Sequence, residues 1–182
     1  RILEVYKKGG DSVEIGTPIL RLDLLSAETD YKKQLDEVQM NELKLEQLRI
    51  QNRSKLSEME MQLKVSRMEL NRKAVELRNE QYLDSLGAGT TDKVRQVELD
   101  YNVSKLKLEE DEQKFINEQA TADADLKVKE LELNIARKTL AETKRTLDDA
   151  RIKAPRKAIL TYVNTEIGAQ VAQGEKVAIF VV

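Results

Sequence analysis

Two long stretches of the chain, residues 24–86 and 92–154, contain neither proline nor glycine, and between them lies the short segment "LGAGTT" at residues 86–91. In the first stretch Leu56, Leu63, Leu70 and Leu77 recur every seven residues, and Tyr31, Leu35, Val38, Leu45 and Met59 extend the row by steps of three and four. The second stretch repeats the pattern with Val94, Tyr101, Leu108 and Phe115, then with Leu126, Leu133, Leu140 and Leu147 interleaved with Ala122, Ala136 and Ala150. A sustained seven-residue apolar repeat marks helices that wrap around a partner in a left-handed supercoil. Equal helical arms around a glycine-containing turn predict an antiparallel hairpin. Folding the arms about residue 88 pairs positions whose numbers sum to about 176, and arms of about 60 residues would reach on the order of 90 Å. Thr90 or Thr91 offers a cap for the second helix, Ser26 one for the first, and Pro155 closes the second arm.

The two ends of the chain change period. Apolar residues alternate in "ILEVY" and "VAIFVV", with glycines between short runs, which predicts strands joined by tight turns. The ends also resemble each other. Shifting "VYKKGGDSVEIGTPI" (residues 5–19) by 158 positions sets it on "VNTEIGAQVAQGEKV" (163–177), matching Val5 with Val163, Gly10 with Gly168, Val13 with Val171 and Gly16 with Gly174. Neither end is long enough to bury a core alone. The expectation is an α+β fold: one β-domain built from residues 1–22 and 155–182, and a helical hairpin over residues 24–154 with its tip at about 84–91.

Composition narrows the chemistry. Charged residues make up 35% of the 182 and aromatic residues 4%, as expected of long helices rather than of a large compact core. The formal net charge is −2, so no strong field for nucleic acid or an anionic membrane follows. There is no cysteine and no histidine, which removes thiol nucleophiles, Ser-His-Asp triads and Cys/His zinc sites. Carboxylates are abundant, as in "LEEDE" (108–112), but a two-stranded coil offers no pocket to shift their titration. No catalytic residue, cofactor or metal is expected, and the chain reads as a non-enzyme. No apolar run is long enough to span a bilayer and no signal-peptide pattern is present. Because "RILEV" and "AIFVV" both read as strand interior, the chain is expected to be a piece of a longer protein.

One apolar pattern does not serve the hairpin seam. Met61, Val65 and Met68 on the first arm, and Val128, Leu131 and Ile135 on the second, follow helical spacing off the main row. Such a second stripe fits lateral packing against a neighbouring copy.

The ends carry a family resemblance. "GDSVEIGTPIL" (10–20), "APRKAIL" (154–160) and "GAQVAQGEKV" (168–177) together resemble the biotinyl/lipoyl carrier domain. Carrier domains join their halves by a turn bearing the lysine that receives the cofactor; here that place is "RLDLLSAETD" (21–30), which has no lysine and opens a helix. A lipoyl-like domain split there by a coiled-coil hairpin resembles the periplasmic adaptor family, the membrane fusion proteins of HlyD type. The resemblance implies a subunit of a tripartite efflux or secretion system in the periplasm of a Gram-negative bacterium, anchored to the inner membrane by a segment outside this chain. It implies as partners an inner-membrane transporter, ATP-driven or proton-driven, and an outer-membrane channel protein, with about six copies assembling and no nucleic acid involved. It also implies channel docking by the hairpin tip: Leu83 and Thr90 fall on the family's Leu and Ser, Leu86 lies between them, and Asn79 stands where the family carries Arg. Ala158 stands where the family commonly has Gly. The alternatives are a structural coiled-coil rod without a transport role and a biotin or lipoate carrier domain, the latter disfavoured by the missing lysine.

Overall fold

The computed structural model describes residues 1–172 and 174–182; the second motif copy includes Gln173, which lies outside the described residues. Among the described residues eight elements follow one another: β1 (Ile2–Val5), β2 (Ser12–Val13), β3 (Pro18–Leu22), α1 (Leu25–Ser85), α2 (Thr91–Asp149), β4 (Arg151–Lys153), β5 (Ala158–Val163) and β6 (Ala178–Val181). They divide into two compact units, one of Arg1–Glu42 with Glu132–Val182, the other of Leu43–Leu131.

The first unit holds two three-stranded antiparallel sheets, ordered β1-β3-β4 and β2-β5-β6. Each sheet takes strands from both ends of the chain, so neither end can complete a sheet without the other. The core between them is Val13, Ile19, Leu20, Ala154, Leu160 and Val163, with Val5, Leu22, Ile152 and Phe180 packed against it. Ile19 and Leu160 are 0% exposed.

The duplication seen in the sequence is a duplication of backbone structure. Between β1 and β3, Ile2 pairs with Leu22, Glu4 with Arg21 and Val5 with Leu20, with a bulge after Ile2. Adding 158 to each number gives the pairing between β5 and β6: Leu160 with Phe180, Tyr162 with Ile179 and Val163 with Ala178, with the bulge after Leu160. The loops repeat as well. Gly10 donates its amide to the Leu160 carbonyl at 2.7 Å and Gly168 donates to the Ile2 carbonyl at 2.8 Å, each half bonding the equivalent atom of the other. Gly10 and Gly168 have φ of 97° and 89°, and Gly16 and Gly174 have 80° and 84°. The two halves are thus the same supersecondary unit, exchanged about a pseudo-twofold axis. Ala158 causes no conflict, since it begins β5 and no non-glycine residue among those described has a positive φ.

Two boundaries differ from expectation. The second arm was expected to remain helical as far as residue 154, but α2 stops at Asp149 and Arg151–Lys153 forms β4. Asp148 and Asp149 sit at the negative end of the helix with no basic residue in its last turn, which weakens it there. The edge of β3 offers pairing instead, Leu20 with Ile152 and Arg21 with Arg151. The β-domain therefore starts its second half before Pro155. At the other end Ser26 lies inside α1 rather than capping it. The Leu24 carbonyl accepts the first helical bond from the Glu28 amide at 2.7 Å, and the Asp23 carboxylate accepts from the Leu25 amide at 3.2 Å.

Within both units α1 and α2 run antiparallel in the expected register. Cross-helix ion pairs mark it: Lys55–Glu118 sums to 173 and Arg49–Glu130 to 179 in the second unit, and Arg137–Glu42 to 179 in the first. Exposed pairs of this kind stabilise little and serve here as register markers. The seam is more polar than the leucine rows suggest. Ser66 is buried, with its hydroxyl 3.3 Å from an Asp111 carboxylate oxygen, and the Lys73 side chain lies 3.9 Å from Asp100. Leu35, expected in the seam, is 43% exposed. The three-then-four step from Tyr31 to Val38 passes through Gln34 instead, and that residue takes the half-buried position.

Candidate functional site

The turn between the helices is closely specified. Leu83, Asp84 and Ser85 end α1, Leu86 follows in the turn, and Gly87 comes next with φ of 74°. The Ala88 amide donates to the Leu83 carbonyl and the Gly87 amide to the Asp84 carbonyl, both at 3.0 Å. This double bond pattern with a left-handed residue after the helix is the Schellman arrangement, which satisfies carbonyls that would otherwise be orphaned. Gly89 adds a third donor to the Leu83 carbonyl at 3.2 Å. A Cβ on Gly89 would lie 2.9 Å from the Asp84 backbone nitrogen, so the position has no room for a side chain. Thr90 then caps α2: its hydroxyl accepts from the Lys93 amide at 3.2 Å and its carbonyl from the Val94 amide at 3.2 Å.

This turn holds Leu83, Leu86 and Thr90 together at its surface. Leu86 is 61% exposed, Leu83 is 40% exposed and Thr90 is exposed. Tyr82, absent from the sequence reading, adds a 65% exposed ring to the same turn. The Thr90 hydroxyl already accepts the capping bond, so what it presents outward is mainly its methyl group and its remaining hydrogen-bonding capacity.

The stripe residues are placed as distinct outer-face groups. In the second unit Met61, Val65 and Met68 on α1 are each more than half exposed, as are Val128 and Leu131 on α2. Ile135, in the first unit, is exposed likewise. The structure also shows members that sequence reading missed. Met61, Met68, Val75 and Tyr82 lie seven residues apart, five after each of Leu56, Leu63, Leu70 and Leu77, and all four are exposed. In a seven-residue repeat that position is diametrically opposite the seam. On α2, Leu99 and Leu106 show the same spacing, 62% and 65% exposed. The signal was in the sequence: a second row of apolar residues at spacing seven.

Among the described residues no group of three or more acidic side chains is placed to hold a metal ion. A hydrogen bond to Glu4 holds the Tyr6 phenol above its usual value, and a hydrogen bond from Lys114 holds Glu110 below the usual carboxylate range. All four side chains are exposed. Among the described residues, no helix is long and apolar enough to cross a membrane.

No protein-family model matches the chain, and no curated protein matches it. Solved structures do. The periplasmic adaptor protein EmrA is 15% identical with a TM-score of 0.49, over 98% of this chain and 67% of EmrA. The soluble domain of LipC, a membrane fusion protein of a type I secretion system, is 12% identical with a TM-score of 0.49, over 100% of this chain and 95% of that one. MacA from Actinobacillus actinomycetemcomitans is 15% identical with a TM-score of 0.35, and this chain spans 45% of its length. These structural neighbours are periplasmic adaptors and membrane fusion proteins.

Proposed function

We propose that the chain is the hairpin and lipoyl-like portion of a periplasmic adaptor subunit in a tripartite efflux or secretion system, bridging an inner-membrane transporter and an outer-membrane channel. The observation that carries this reading is the split β-domain: two exchanged copies of one unit, with a long helical hairpin where a carrier domain would present its lysine. Such a subunit requires no chemistry; its work is to span, to seal and to transmit movement.

In this reading the tip residues Leu83, Leu86 and Thr90 dock on the channel. The outer rows, Met61, Val65 and Met68 on α1 with Val128, Leu131 and Ile135 on α2, pack against neighbouring copies. Rows opposite the seam on both helices put apolar surface on two different edges of each hairpin. Contacts between unlike edges are head-to-tail and close into a ring when the rotation allows, in keeping with about six copies. The protein would work in the periplasm, held at the inner membrane by a segment outside this chain.

The test uses cells carrying the full-length protein with a photo-crosslinking residue at Leu86 or at Met68. Adducts from Leu86 in the outer-membrane fraction and self-adducts from Met68 are expected. No outer-membrane adduct from Leu86 and no self-adduct from Met68, together with export unaffected by Thr90→Arg at normal expression, would remove both surfaces and favour a simple structural rod. Intact mass after co-expression with biotin and lipoate ligases separates the carrier alternative, since no added mass is expected.

A further inference from the structure

In the second unit the covered positions of α1 follow alternating steps of three and four, with one break: Leu48, Asn52 and Leu56 are separated by two successive steps of four. The covered row of α2 breaks once as well, at Glu118, Ala122 and Leu126. An added step of four locally unwinds a left-handed supercoil. The two breaks lie opposite each other, because the Asn52 side-chain amide donates to the Ala122 carbonyl at 3.4 Å. Two helices in continuous contact can change pitch only together, and here they do so at one level.

That level also lacks a large apolar pair. An asparagine faces an alanine there, and a groove of about 500 Å³ bordered by Leu56, Phe115 and Leu126 lies beside them. A single long hydrogen bond links the two, and Ala122 itself is buried. The flanking sequence weakens the helices further: Ser54 and Ser57 on α1, and Thr121, Asp123 and Asp125 on α2, are poor helix formers. Charged clasps close the level on both sides, Lys55 with Glu118 and Arg49 with Glu130.

We infer that the Asn52–Ala122 level is a flex point built into the helix pair, where the two helices open and bend together between stiffer coiled segments. Its unwound pitch, its missing apolar pair and its weak helix formers lower the cost of opening there.

Amide hydrogen exchange on the whole chain, read by mass spectrometry, tests this. Peptides covering 49–56 and 118–125 are expected to exchange at least about tenfold faster than those covering 63–70 and 104–111. Equal or slower exchange at the level overturns the inference. Asn52→Leu, which supplies the missing apolar side chain, should slow exchange there towards that of the flanks; unchanged or faster exchange overturns it. Deleting Asn52–Lys55 together with Gln119–Ala122 restores the alternation in both helices while keeping their register. Slowed exchange at the junction supports the unwound pitch as the cause, and persistent fast exchange counts against it.

Discussion

The β-domain and the Leu43–Leu131 part of the hairpin bury apolar surface in opposite ways. In the β-domain a handful of side chains from both ends of the chain converge, and Ile19, Leu20 and Leu160 are at most 1% exposed. In the Leu43–Leu131 unit only Leu45, Leu63, Val97 and Ala122 fall in the buried apolar class, while the rest of the seam is half-covered or polar. One region concentrates its stability in few residues far apart in sequence; the other spreads it thinly along many turns. The first depends on closing a very long loop, which the hairpin does by returning the chain to its starting point. Damage should therefore be local and severe in the β-domain, and graded in the coil.

The largest effect is expected at the centre of the β-core. Leu160→Ala should cost about 2–5 kcal/mol. Chemical denaturation followed by near- and far-ultraviolet circular dichroism should then show the sheets lost well before the helices. Leu56→Ala, in the half-covered seam, should cost about 1–2 kcal/mol, since less surface is removed from water. Equal losses at the two positions would erase the contrast.

The tip sharpens the comparison, because it is a local feature specified as tightly as the core. Gly89→Ala would drive a methyl into the Asp84 backbone and should cost about 1–3 kcal/mol. Thr90→Ala removes the capping oxygen and should cost about 1 kcal/mol. Thermal midpoints of the two variants should fall in that order.

The smallest effect concerns the exposed coil surface. The folded chain holds Glu110 below its usual range through the Lys114 hydrogen bond, so this contribution is present above the unfolded carboxylate value and disappears as pH falls through the lowered one. Lys114 is raised by the same bond, so its contribution is present below the unfolded lysine value and is lost as pH rises through the raised one. Both groups are exposed, so the thermal midpoint of Glu110→Gln should differ barely from the parent at neutral pH, and less still in high salt.

Much of the architecture was legible without coordinates, for a physical reason in each case. Helical arms declare themselves through a repeat of seven and an absence of glycine and proline, and both are local properties. The duplicated end motif declared itself because tight turns restrict residue choice, so that Gly10 and Gly168 recur at one offset with one backbone geometry. The turn itself was legible because Gly87 and Gly89 lie within it, and Leu83 and Leu86 are exposed there. The outer row through Val75 and Tyr82 was equally readable but overshadowed by the stronger leucine row.

Other features were decided only by tertiary structure. Whether Arg151–Lys153 continued a helix or joined a sheet depended on the edge of β3, supplied from the other end of the chain. Whether Leu35 or Gln34 faced the partner depended on the phase of the supercoil, and helical spacing allows both. The choice of Thr90 over Thr91 as cap depended on where the Schellman turn placed the chain after Gly89. The amino-acid sequence by itself determined the periods, the breaks and the repeated turn, because these arise from each residue's own backbone and burial preferences. Strand partners, seam phase and the meeting of Asn52 with Ala122 arise from contacts between residues far apart in the chain, and only folding brings those together.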